Sequence, residues 1–108
     1  MSSLPVIVRP RAQAQLDAAY AWWAEHRSAD QAGRWFRDII AAIERIGENP
    51  TRYAKPAEAT RFPFEVREML FGLGRRPTHR VLFTIRPDSI YVLSVRHVSQ
   101  DATGLEDL

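Results

Sequence analysis

Two basic pairs stand at the ends of neighbouring apolar runs in the last third of the chain. His79-Arg80 opens the run that ends at Arg86, and Arg96-His97 closes the run that begins at Ser89. Pro87-Asp88 lies between them, and proline fixes the first corner of a turn while aspartate tolerates the second, so the runs are expected to fold back as a hairpin. Folding back brings His79, Arg80, Arg96 and His97 to one end of a sheet. Arg75 and Arg76, in the turn before the first run, join them there. Arginine offers a planar fork of donors and histidine titrates near neutral pH. A cluster of this kind suits an anionic partner: a phosphate, a nucleic acid or an acidic protein segment.

Other chemistries have little to work with. The 108 residues include no cysteine, which removes disulfides, thiolate nucleophiles and thiolate metal sites. None of the three histidines forms a His-x-x-x-His pair, so no metal or other cofactor is expected. No apolar stretch is long enough to span a bilayer and no basic-then-apolar leader opens the chain, so no membrane partner is expected and a cytoplasmic location is. Basic charge is concentrated: residues 61–97 carry seven basic and three acidic side chains, while residues 98–108 carry three acidic and none basic. Fourteen of the fifteen cations are arginine, which favours recognition of phosphate, carboxylate or base.

The elements that must hold the cluster can be read in order. Length and a hydrophobic content of 45% suit a single domain over 1–108. Pro5-Val6-Ile7-Val8-Arg9 reads as a strand, and Pro10 suits the first turn of a helix. Ala12, Leu16, Ala19 and Trp23 recur at helical spacing, giving a first helix from about Pro10 to about His26. Ser28-x-x-Gln31 is a capping-box pattern that starts a second helix. Its stripe is Ala32, Phe36, Ile39, Ile43 and Ile46, ended by Gly47 and Pro50. The short gap makes the helices an antiparallel hairpin. Residues 48–63 hold three prolines and no period, and read as a loop wrapping an edge. Phe64 to Phe71 reads as a strand covered on both sides, and the hairpin follows. The tail from Asp101 to Leu108 is expected to be a short helical turn or a frayed end. The architecture expected is α+β: an N-terminal strand at the edge, a two-helix antiparallel hairpin, then a three-stranded antiparallel meander.

Taken in sequence, the Val-Ile-Val-Arg-Pro strand, the helical hairpin ending in Ile-Gly-Glu-Asn-Pro, then Glu-Val-Arg-Glu, His-Arg-Val-Leu-Phe-Thr-Ile and Ile-Tyr-Val-Leu-Ser-Val-Arg-His resemble the RelE/ParE superfamily of bacterial type II toxins, over roughly residues 5 to 101. The resemblance implies the RelE/ParE fold, neutralisation by a cognate antitoxin whose C-terminal segment wraps the toxin, and contact with DNA only through that antitoxin. It also implies one of two targets. The ParE branch looks like a gyrase poison, and the RelE branch like a ribosome-dependent mRNA endonuclease. Arg67 resembles the strand arginine of the family, and Arg80 the arginine with which cleaving members hold the scissile phosphate. Cleaving members also carry a lysine pair where this chain has Glu65 and Arg67, and a tyrosine after the last strand, whereas the last tyrosine here is Tyr91. These departures favour the ParE branch.

Cleavage by another residue set is the alternative. Attack by an RNA 2′-hydroxyl needs a base, a cation for the phosphate and an acid for the leaving oxygen. Glu58 or Glu65 would be the base, Arg67 and Arg80 the cations and His97 the acid. Arg67 equally suits a plain ion pair with Glu65 or Glu68, and His26 a favourable cation at a helix end. Trp23 and Phe36 lie on the apolar stripes and are expected in the core. Trp22 and Trp35 lie off them, and with Arg75, Arg76, His79 and Arg96 they are the expected binding surface.

Overall fold

A computed structural model of the protein describes residues 3–100. The chain runs β1 (Val6–Val8), α1 (Pro10–His26), α2 (Ala29–Arg45), β2 (Arg67–Phe71), β3 (His79–Ile85) and β4 (Ile90–His97), with three short 3-10 turns between α2 and β2. The sheet order is β1-β4-β3-β2. β2, β3 and β4 form the expected antiparallel meander. β1 lies parallel to β4 at the edge, pairing Val6 with Ile90 and Val8 with Val92. The tail from Asp101 lies outside the described residues.

Local chemistry accounts for the boundaries. Pro10 begins α1, where its missing N–H costs no helical bond. Ser28 caps α2, its hydroxyl accepting the Gln31 backbone N–H at 3.0 Å. Gly47 follows α2 for a reason other than a left-handed turn: a Cβ there would sit 2.1 Å from the Leu4 carbonyl. That close approach lets Leu4 donate its N–H to the Gly47 carbonyl, tying the lead into β1 to the end of α2.

The stripe of α2 buries Ala32, Ile39, Ile43 and Ile46 as expected, but it is wider than expected. Trp35 is fully buried and Phe36 half-buried, so Trp35 is a core residue and not an interface residue. α2 packs on two neighbours and buries an arc wider than one 4-3-4-3 row. Trp35 meets the His79 ring on β3 at 4.9 Å, and Phe36 meets Tyr20 of α1 edge-on at 5.7 Å. Leu16, Trp35, Ile39, Ile43, Val81, Phe83 and Val92 make the main core.

Strand β2 is shorter than Phe64 to Phe71, and it is not covered on both sides, since Leu70 is 53% exposed. The loop does wrap its edge: Ala54 accepts the Glu68 backbone N–H at 2.9 Å. On the face away from the helices, Phe62 and Val66 pack on Leu82 and Leu93 in a small second core.

Candidate functional site

The hairpin register sets His79 opposite His97 and Arg80 opposite Arg96, at the end expected from the sequence. Successive strand side chains point to opposite faces, so the four groups do not form one cluster. His79 and His97 lie on the helix side, with ring centroids 5.4 Å apart. Arg80 and Arg96 lie on the outer face beside the second core. Arg75 and Arg76 are exposed in the turn that leads into β3.

On the outer face, Arg80 is closed in by carboxylates. Its guanidinium bonds Glu58 at 2.5 Å and Glu68 at 2.7 Å, and the Glu58 side chain is 3% exposed. Burial pulls the Arg80 guanidinium down, but the hydrogen bonds and charges of Glu58 and Glu68 outweigh burial and hold it above its ordinary value. Glu58 comes from the prolyl loop, so this ion pair pins that loop across the sheet. Arg67 is likewise occupied. It donates to the Thr51 and Tyr53 carbonyls at 3.1 and 2.6 Å and to Glu65 at 2.8 Å, which is the plain ion-pair reading extended by two loop contacts.

On the helix side, a cavity of about 580 Å³ opens between α1 and the end of the sheet. Trp22, Trp23 and Arg27 line it from the helix, and His79, His97 and Gln100 from the sheet end. Trp22 is 46% exposed, stacked on His26 at 4.6 Å and edge-on to Trp23 at 5.7 Å. His26 donates its Nδ1–H to the Trp22 carbonyl at 3.0 Å. Trp23 is half-buried, part core and part cavity wall.

The two imidazoles differ. Burial first, and the neighbouring His97 second, push His79 down to about 4, so it is neutral near pH 7. Thr78 Oγ1 lies 2.8 Å from its Nδ1. His97 Nδ1 accepts the Ser99 backbone N–H at 3.1 Å and has Ser99 Oγ at 2.7 Å. An accepting Nδ1 leaves Nε2 as the protonated nitrogen, so His97 presents a donor.

These placements divide the proposed acid-base set. Glu58 and Arg80 are on one face of the sheet and His97 is on the other, with Arg67 tied to the loop near Tyr53. A phosphate cannot touch all of them at once. Sequence reasoning missed Gln15, Arg27 and Gln100 at the cavity. Gln15, Ala19 and Trp22 follow helical spacing, so that row was readable.

The chain thus folds as a helical hairpin over a four-stranded mixed sheet. The profile described as "ParE toxin of type II toxin-antitoxin system, parDE" matches residues 6–102, and the chain belongs to that family. It is similar in fold to a solved chain described as the chromosomal ParDE TA system from P. aeruginosa, with a TM-score of 0.73 and 19% identity, covering 90% of this chain and 98% of that one. No curated protein matches. No helix among the described residues is long and apolar enough to cross a membrane.

Proposed function

We propose that the protein arrests growth by binding and poisoning DNA gyrase, and that an antitoxin encoded beside it relieves the arrest. Membership of the ParE family supplies the toxin class, and gyrase is the target implied by the ParE resemblance. The observation that carries binding over RNA cleavage is the state of Arg80. A phosphate-holding arginine must offer its fork to the substrate, and here the Nε and Nη2 side of the fork is already taken by Glu58 and Glu68, whose negative charges also oppose a phosphate. His97, the candidate acid, is on the opposite face of the sheet from one candidate base, Glu58, and the other, Glu65, is paired with Arg67 and Lys55.

Purified protein added to gyrase and relaxed plasmid tests this reading. Loss of supercoiling with accumulation of cleaved DNA is expected. In parallel, 5′-end mapping of mRNA after induction is expected to show no codon-phased cuts. Normal supercoiling together with cuts in the ribosomal A site would replace the gyrase reading with ribosome-dependent cleavage.

A further inference from the structure

The sheet has an unfinished edge. β1 pairs with β4 only at Ile90, Tyr91 and Val92, and the last backbone bond on that side runs from the Arg9 N–H to the Val92 carbonyl at 3.0 Å. From Leu93 to His97, no described strand lies beside β4 there. A strand edge without a neighbouring strand offers its backbone groups to an incoming extended chain.

Side chains stand in for the missing strand. The Val95 N–H is donated to Gln15 Oε1 at 2.7 Å, across 80 residues of sequence, and the His97 N–H to Gln100 Oε1 at 2.8 Å. Alternate residues of a strand direct their N–H groups to the same side, and both of these are met by side-chain amide oxygens and not by backbone carbonyls. The cavity lies beside this stretch. Its polar lining is rich in donors: the Arg27 guanidinium, His97 Nε2–H and the NH2 groups of both glutamines, whose oxygens are already engaged. Among the described residues no carboxylate lines it, and the indoles of Trp22 and Trp23 supply apolar wall.

We infer that the edge of β4 from Leu93 to His97 is a docking edge for an extended segment of the antitoxin, and that Gln15 and Gln100 hold its place in the free protein. The charge of the lining selects a segment with acidic side chains directed at Arg27 and His97, alternating with apolar side chains against the indoles. Carbonyls of the incoming strand take the Val95 and His97 N–H groups as the glutamines swing away, which is strand addition with side-chain pockets giving specificity. The inference rests on the toxin-antitoxin reading above.

Amide NMR and affinity measurements on the full chain with the antitoxin from the adjoining reading frame test it. The Val95 and His97 amides should shift, and their hydrogen exchange should slow at least tenfold in the complex. Because the glutamines compete with the incoming strand, Gln15→Ala and Gln100→Ala should each bind the antitoxin about twofold to tenfold more tightly, the scale of one net hydrogen bond. Arg27→Ala should bind more weakly and with less salt dependence. A complex in which these amides are unmoved, or in which both glutamine variants bind no tighter than wild type, overturns the docking edge while leaving the toxin-antitoxin reading intact. Protection of the same amides by self-association of the protein alone would make a second copy the occupant, and overturns it too. Failure of the neighbouring product to bind at all removes the antitoxin reading itself.

Discussion

Arg80 and Arg27 carry the same guanidinium into opposite circumstances. Arg80 sits on the outer face of the sheet between Glu58 and Glu68, with 14% of its side chain exposed. Arg27 stands just past α1 on the rim of a cavity that no carboxylate lines and is in no ion pair, both among the described residues. The tryptophans repeat the contrast, Trp35 fully buried and Trp22 nearly half exposed. Residue type alone therefore does not mark the recognition surface. The outer-face arginine and the inner tryptophan build the scaffold, and their counterparts at the cavity are available to a partner.

The strongest way to break this division is through the core. Trp35→Ala should cost about 3–5 kcal/mol, and Ile39→Ala or Ile43→Ala about 2–5 kcal/mol, because each side chain is fully buried. Chemical denaturation would measure these losses against a total of roughly 5–15 kcal/mol. A near wild-type midpoint for Trp35→Ala would return that residue to the surface.

Next is the outer-face ion pair. Glu58→Gln leaves Arg80 partly buried with one carboxylate fewer, and should cost about 2–4 kcal/mol. Faster proteolysis within residues 48–63 should accompany it, since Glu58 anchors that loop. A loss below about 0.5 kcal/mol would place the pair among ordinary surface salt bridges.

His79 gives a pH dependence of defined sign. Its folded pKa of about 4 lies below the unfolded value of 6.5, so between those values the unfolded chain binds the extra proton. Stability is therefore fully present above about pH 6.5 and falls as the pH drops toward 4, by about 3 kcal/mol in all. His79→Gln should flatten that part of the profile relative to wild type. An unchanged slope in the variant would assign the proton elsewhere.

The smallest stability effects are expected at the cavity. Trp22→Ala and Arg27→Ala should each stay within about 0.5 kcal/mol of wild type while weakening antitoxin binding. Equal loss of stability and of binding would make the rim part of the scaffold.

Much of this division was legible in the sequence. Pro10, the Ser28 cap and the Pro87-Asp88 turn each act through neighbouring residues, and they placed α1, α2 and the hairpin correctly. The period of two also implied that His79 and Arg80 face opposite ways, but gathering four basic groups at one sheet end obscured it. The Glu58–Arg80 pair was not legible, because 22 residues and an aperiodic prolyl loop separate the partners. Trp35 and Phe36 are adjacent on a helix with two neighbours, and periodicity alone does not say which neighbour is the sheet. Gln15 required knowing that β1 stops at Val8, since only then does the Val95 N–H need a partner.

The central claim is that the Arg80 cluster is structural and works on no phosphate. Replacing the whole cluster with apolar residues of similar size, Arg80→Met with Glu58→Leu and Glu68→Leu, removes its charges together, a change that buried ion clusters tolerate far better than loss of one partner. Growth arrest on induction, measured beside circular dichroism and the melting midpoint of the purified variant, is the direct test. The account predicts a folded variant that still arrests growth; a folded variant with no arrest would contradict it and return Arg80 to the working surface.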